Sequence, residues 1–308
     1  MYNSSRHFFL LEFHEPRILQ NLIFSLILLT YIMTLSGNFL IIVLIWKSHN
    51  LHTPMYFFLV NLSFLEIWFT TSIAPRFLSI LAFGSITVSF WSCLTQCYFY
   101  FFLGSVEFFV LTIMSFDRYI AICYPLHYTT LMNRGLCIQL ALCSWVGGFL
   151  ETVVPTILVS QLPFCGSNRI NHFFCDVDQL LKLACADTKF IELLNLLISS
   201  VIIFVSLICI IVSYTKIITT ISKIPSRGGR WRSFSTCVSH LILVSLFYGA
   251  SLCMSLKSIK GTTMNFNKLA TVLNTIVTPL LNPFIYTLRN NQVKNALRRL
   301  MGGKISNA

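Results

Sequence analysis

Charge is what this chain has least of. Charged residues fill 10% of its 308 positions, where an ordinary soluble domain carries about 25%, while 56% of positions are hydrophobic and 14% aromatic. The hydrophobic residues stand in blocks rather than being spread along one globular core, which excludes the soluble class and points to the membrane. Also missing is any interleaving of basic and aromatic residues on a polar face that could follow phosphates, so the net charge of +12 does not indicate nucleic acid. The basic residues collect instead at the ends of apolar blocks. No CxxC pair recurs at ligand spacing, so no metal is expected. The seven histidines and the few acids are scattered among loops and helix ends. No catalytic constellation results; an enzyme and a cofactor are not expected. There is no internal repeat, low-complexity tract or long linker, so one domain is expected. Residues 1–16 are polar and carry Glu12 and Glu15, which is not a signal peptide; the first apolar block is expected to act as its own insertion signal.

What is present is a set of seven membrane-length runs. A spanning helix needs about 20 mostly apolar residues. Residues 22–46 carry no charge, 55–75 only Glu66, 91–116 only Glu107 and 135–162 only Glu151; residues 193–215 and 233–256 are charge-free, and 269–288 close the set. The expected fold is an all-α seven-transmembrane bundle with helices at about 22–46, 55–78, 91–124, 135–160, 192–221, 233–257 and 267–288. Residues 290–301 carry Val293, Leu297 and Leu300 at helical spacing with Lys294, Arg298 and Arg299 between, an amphipathic helix suited to lie on an anionic inner leaflet.

Seven spans put the termini on opposite sides. One side gathers thirteen basic residues against the single acid Asp117; the other gathers nine against six acids. The positive-inside rule makes the first side cytoplasmic, so residues 1–21 are expected outside and residues 289–308 form a cytoplasmic tail. Asn3-Ser4-Ser5 is then an outer N-glycosylation sequon, whereas the equivalent match at Asn61 lies inside a span and is set aside. Cys165, Cys175 and Cys185 occupy an outer loop with Cys93 near it. Four cysteines in one oxidising compartment suggest two disulfides, and sequence alone allows three pairings. The other seven (Cys97, Cys123, Cys137, Cys143, Cys209, Cys237 and Cys253) read as small buried hydrophobes.

Residues 114–128, MSFDRYIAICYPLHY, put Asp117, Arg118 and Tyr119 at the end of the third span. Charge in hydrocarbon costs roughly 3 kcal/mol per residue even on lenient scales; taken alone the triplet reads equally as a solvated helix end or as a switch. Tyr100, Gly104, Glu107 and Arg118 share one face of that helix. Asn38, Glu66, Glu107 and Asn282 fall inside spans and form a polar cluster in the bundle, read either as a proton- or cation-sensitive switch or as a static network of protonated acids.

Asp117-Arg118-Tyr119 ending the third of seven helices, with Gly37-Asn38 in the first, Trp145 in the fourth and NPFIY at 282–286 in the seventh, resembles a rhodopsin-like G-protein-coupled receptor. LHTPMYFFLVNLSFLE at 51–66, MSFDRYIAICYPLHY, Ser213-Tyr214, SFSTCVSHL at 233–241, Phe247-Tyr248-Gly249 and PLLNPFIYTLRN at 279–290 resemble more specifically the vertebrate odorant (olfactory) receptors of the tetrapod-type class II. Ser115-Phe116 replaces that family's usual Ala-Tyr, Arg232-Ser233 its Lys-Ala, and RGGRW at 227–231 is atypical for its third inner loop. Helix six lacks proline, and Tyr248 stands where many rhodopsin-like receptors carry Trp, in keeping with the odorant pattern.

The resemblance implies a receptor at the plasma membrane for a small volatile odorant, coupled to a stimulatory olfactory-type heterotrimeric G protein and raising cyclic AMP. Carried over by position, the ligand set is Tyr100, Phe101, Gly104, Ser105, Ile198, Ser199, Ile202, Tyr248, Ser251, Leu252, Ser255 and Thr275. It is apolar and hydroxyl-bearing, without charge; Tyr100 stands where amine receptors of the superfamily place an acid. The coupling set is Asp117, Arg118, Tyr119, Tyr214, Arg232, His240, Asn282, Pro283 and Tyr286. The implied disulfides are Cys93–Cys175 and Cys165–Cys185, and a disulfide-bound Cys175 makes the sequence HFFCD at 172–176 a poor metal site. Two rival readings remain: an odorant-type receptor sensing a metabolite outside the nose, and a transporter. The chain lacks the two similar halves and paired broken helices of the latter.

Overall fold

In hydrocarbon the backbone has no water to bond, so an apolar run long enough to cross must close its own hydrogen bonds as a helix. The computed structural model, which describes residues 7–10, 16–165, 168–170, 172–260, 271–289 and 291–300, follows that rule. The first five spans are Arg17–Lys47, Pro54–Phe83, Phe90–Cys123, Arg134–Ser160 and Lys189–Ser222, each long and apolar enough to cross a membrane. Arg227–Lys260 is the sixth. Residues 271–289 form the seventh, an α-helix interrupted by one π-helical stretch at Leu273–Val277. The start expected for this helix, 267, lies outside the described residues.

Local chemistry sets the ends. Thr53 precedes Pro54 at the first turn of the second helix, where proline's missing N–H is no loss. Ser89 and Asn133 cap the third and fourth helices, their side-chain oxygens accepting from Ser92 N at 3.3 Å and Leu136 N at 2.9 Å. The third helix stops at Cys123 because Tyr124 precedes Pro125 and leaves the helical region, at φ −132° and ψ 55°. The sixth begins earlier than expected. Arg230 N bonds Ser226 O at 3.1 Å directly after Pro225, so residues 227–231 are its first turn and not a loop.

The second and third helices are central, with 56% and 50% of their most apolar stretch buried against 22% for the first, fourth and fifth. The outward faces carry Leu29, Phe39, Val146, Val201 and Phe204, as a lipid-facing surface requires. Cys143 and Cys209 also lie on it, a correction to the expectation that all seven free cysteines are buried; a thiol is apolar enough for lipid. Glycine permits one close helix crossing. A Cβ on Gly148 would lie 2.7 Å from Val106 Cγ2 and 3.1 Å from Phe102 O, so the third and fourth helices approach where a side chain is missing.

At one end the chain builds a small sheet that periodicity did not reveal. His7–Leu10 (β1) pairs antiparallel with Ile86–Ser89 (β2), His7 opposite Ser89, and parallel with Arg169–Ile170 (β3), Phe9 opposite Arg169. Phe8 and Leu10 alternate inward and are fully buried. They join a hydrophobic cluster with Phe164, Phe173, Phe174 and Cys175, separate from the larger cluster at the other end of the bundle.

Candidate functional site

The sheet end covers a cavity of about 520 Å³ lined by residues of the second to seventh helices. Eight residues of the expected ligand set line it: Tyr100, Phe101, Gly104, Ser105, Ser199, Ile202, Ser251 and Ser255. Ile198 lines a smaller neighbour of about 40 Å³. Three of the set face elsewhere. Tyr248 packs edge-on to Phe108 at 5.0 Å behind Phe247, and Phe108 and Phe247 themselves form the cavity wall. Leu252 packs on the larger core. Thr275 is fully buried, its hydroxyl donating to Thr271 O at 2.7 Å.

Tyr100, in the ligand set that the resemblance implies, lines the cavity, and packing holds it there. Its ring stacks on Phe69 with centroids 5.5 Å apart and meets Phe174 at 5.0 Å, while its hydroxyl lies 3.7 Å from Met254 Sδ. Phe174 comes from the loop, which two disulfides fold over the bundle: Cys93–Cys175, with Cα atoms 5.3 Å apart, and Cys165–Cys185 at 5.9 Å. Polar ties reinforce the first. Gln96 Nε2 donates to Ser72 O at 2.7 Å, and Gln96 Oε1 accepts from Arg76 Nη1 at 2.6 Å and from Cys175 N at 3.1 Å.

At the far end of the third helix Asp117 is fully buried. Arg118 donates to its Oδ2 through Nε at 3.1 Å and also through Nη2, and the Tyr128 hydroxyl donates to Oδ1 at 2.8 Å. Tyr128 lies in a one-turn helix outside the spans. Burial, followed by the charge and hydrogen bond of Asp117, holds its phenol above the ordinary tyrosine range. Tyr119 turns away, its hydroxyl 3.4 Å from that of Tyr124. The fifth and sixth helices are joined by Tyr214 and His240. Pro283 faces Gly37, whose Cβ, if present, would stand 3.0 Å away. The side chains of Arg232 and Tyr286 lie outside the described residues, as does Asn3.

Asn38, Glu66, Glu107 and Asn282 are all buried. Asn38 Nδ2 donates to Thr34 O at 3.1 Å and Pro279 O at 3.4 Å, linking the first helix to the seventh. Both Glu66 oxygens, Glu107 Oε2, Asn38 Oδ1 and Asn282 Oδ1 have no hydrogen-bond partner among the described residues.

Residues 26–304 match the olfactory receptor family model. This chain belongs to the olfactory receptor family. The receptor is 52% identical to olfactory receptor 6J1 of Homo sapiens over 291 residues, covering 94% of this chain and 84% of that one. It is 51% identical to olfactory receptor 6X1 of Homo sapiens, covering 96% and 94%, and 50% identical to olfactory receptor 287 of Rattus norvegicus, covering 96% of each. Among solved structures, squid rhodopsin superposes with a TM-score of 0.72 at 17% identity, covering 94% of this chain and 87% of that one; this likeness is one of fold. The receptor is therefore a multi-pass membrane protein with the seven-helix G-protein-coupled receptor fold, and not an enzyme.

Sequence reasoning missed part of the receptor's cavity. Glu151, Asp176, Asp178, Lys182 and Glu192 line it, against the expectation of a wall without charge. The loop residues among them follow Cys175, and the disulfide to Cys93 draws them over the opening; that pairing was the available signal. Glu151 was visible as the one acid in the fourth span, but phase alone did not say which neighbour it faced.

Proposed function

We propose that the receptor binds a small, mostly apolar volatile odorant carrying one hydrogen-bonding group within the 520 Å³ cavity. Binding activates a stimulatory olfactory-type heterotrimeric G protein and raises cyclic AMP. In this reading the single domain sits in the plasma membrane, with the sheet end and residues 1–21 outside and residues 289–308 in the cytoplasm; Asn3 carries a glycan. The cavity's size suits a small ligand, and its aromatic and hydroxyl lining suits an apolar skeleton with one polar handle.

One observation carries the reading: Tyr100 and Gly104 line the cavity on the same helix whose other end holds the Arg118–Asp117 pair. A shift of that helix on ligand binding acts directly on the pair, a bistable contact of the kind switching requires. The charge imbalance between the two sides of the bundle supports the orientation. Asn282-Pro283 supplies a weak point in the seventh helix, since proline removes a backbone hydrogen bond.

The test is a cell line expressing the receptor, a broad panel of volatiles and a cyclic AMP reporter. At least one volatile raises the signal. Arg118→Ala abolishes the response at unchanged surface expression; a normal response in that variant overturns the mechanism. A Cβ at Gly104 meets nothing within 4 Å, so Gly104→Leu extends into the cavity without disturbing packing and lowers potency for the same volatile.

A further inference from the structure

Glu151 is a half-buried acid with no part in the reading above. It sits in the fourth helix, three residues after the glycine at which the third helix comes closest. Its side chain forms part of the wall of both the main cavity and its smaller neighbour. Ser105 of the third helix lines the same cavity. The oxygen Oε2 is enclosed and has no hydrogen-bond partner among the described residues. An acceptor-only group held this way, at membrane depth, is costly until a donor or an opposite charge reaches it. The third-helix position that carries an acid in amine receptors is Tyr100 here, yet an acid reaches the same cavity from the facing helix.

The rest of the lining has the same sign. Asp176, Asp178 and Glu192 stand with Glu151, against Lys182, so the lining carries more acid than base. A cleft lined by one sign of charge raises the local concentration of the opposite one. Apolar wall is present beside the polar residues: Phe101 borders both cavities and Phe108 and Ile202 the larger.

We propose that Glu151 is the specificity-determining anchor of the cavity, and that it selects a small volatile amine whose ammonium pairs with its carboxylate while the carbon skeleton packs on Phe101, Phe108 and Ile202. An alcohol of the same shape brings a hydrogen bond to the carboxylate but no charge of its own. An ammonium brings the hydrogen bond and an opposite charge, whose attraction is strong where water is excluded. This inference rests on the odorant-receptor reading of the cavity and narrows its ligand class.

The experiment presents full-length receptor in cells with volatile primary amines, linear, cyclic and aromatic, each paired with the alcohol and hydrocarbon of the same skeleton. The expected result is activation by at least one amine, with its alcohol weaker by roughly tenfold or more and its hydrocarbon inactive. Glu151→Gln, which keeps the side chain's size and removes its charge, loses the amine response by a similar factor at equal surface expression; Glu151→Asp retains part of it. An alcohol or hydrocarbon acting as well as its amine overturns the inference and leaves the odorant reading standing. So does a Glu151→Gln receptor with wild-type amine potency. Silence toward the whole panel overturns the inference, and silence extending to the broad volatile panel overturns both. If Glu151→Gln fails to reach the surface, the amine-to-alcohol ratio of the unaltered receptor decides alone.

Discussion

Tyr214 and His240 bind the fifth helix to the sixth: phenol oxygen and imidazole Nδ1 are 2.8 Å apart and the rings stack at 5.7 Å. Both are buried, and the imidazole lies within electrostatic reach of Arg118. A tie between these helices opposes their separation at the end that holds the Asp117–Arg118 pair. Tyr214→Phe removes the hydrogen bond and keeps the ring. A net loss of about 1 kcal/mol changes the closed-to-open ratio by about fivefold, so basal cyclic AMP rises by up to that factor without ligand. An unchanged basal level at equal surface expression shows that the contact does not hold the closed state.

Tyr128 makes the second hold on Asp117, donating at 2.8 Å to the oxygen that Arg118 does not use. Tyr128→Phe frees Oδ1 and loosens the carboxylate, and basal signalling rises by a few-fold, as about 1 kcal/mol allows. The pH response has a definite sign. The phenol's folded-state pKa is raised, so its contribution is fully present below the ordinary tyrosine value of about 10 and is lost only as pH climbs through the higher folded value. Basal G-protein activation in open membranes is therefore flat between about pH 6 and about pH 9 at this contact, and a rise with pH within that window in wild type but absent from Tyr128→Phe contradicts it.

Gly148 tests packing rather than signalling. A Cβ there would meet Val106 Cγ2 at 2.7 Å and the Phe102 carbonyl at 3.1 Å. The first neighbour is a β-branched side chain and the second is backbone, so neither yields easily. Gly148→Ala costs about 1–3 kcal/mol of overpacking and Gly148→Val more. Surface expression, measured by antibody against an outer tag, falls in that order. Gly104→Ala, where nothing lies within 4 Å, leaves it unchanged.

The fold was legible because the chain's strongest signal, membrane-length apolar runs, is the one hydrocarbon enforces. Boundaries moved where a cap or a proline acted: Ser226 carried the sixth helix back through residues 227–231, which composition alone read as loop. Helical phase put Tyr100, Gly104, Glu107 and Arg118 on one face, because those residues share one rigid element. Tyr248, Leu252 and Thr275, which the family resemblance placed in the ligand set, do not line the cavity; their directions depend on how the sixth and seventh helices rotate against Phe108 and on a π-helical stretch that no spacing announces. The strand at His7–Leu10 was hidden because four residues carry too little pattern, and the acids beyond Cys175 because the disulfide that draws them in joins positions 82 residues apart.

Gln96 meets three elements at once. It donates to Ser72 O of the second helix at 2.7 Å, and it accepts both from Arg76 at 2.6 Å and from the Cys175 backbone in the loop at 3.1 Å. Gln96→Leu fills the same space but leaves the Cys175 N–H without this acceptor, at about 1–3 kcal/mol, and leaves Arg76 with Ser92 Oγ at 2.6 Å. The loop then hangs on its disulfide, and the residues it contributes to the cavity lose their fixed position. Gln96→Glu restores the acceptor for Arg76 and Cys175, and turns the donor to Ser72 O into an oxygen facing an oxygen. In solubilised receptor the midpoint of thermal inactivation therefore drops by several degrees for Gln96→Leu, at about 2–4 °C per kcal/mol, and recovers most of that in Gln96→Glu. Equal midpoints for the two variants would assign the tie to Ser72 alone and leave the disulfide as what holds the loop.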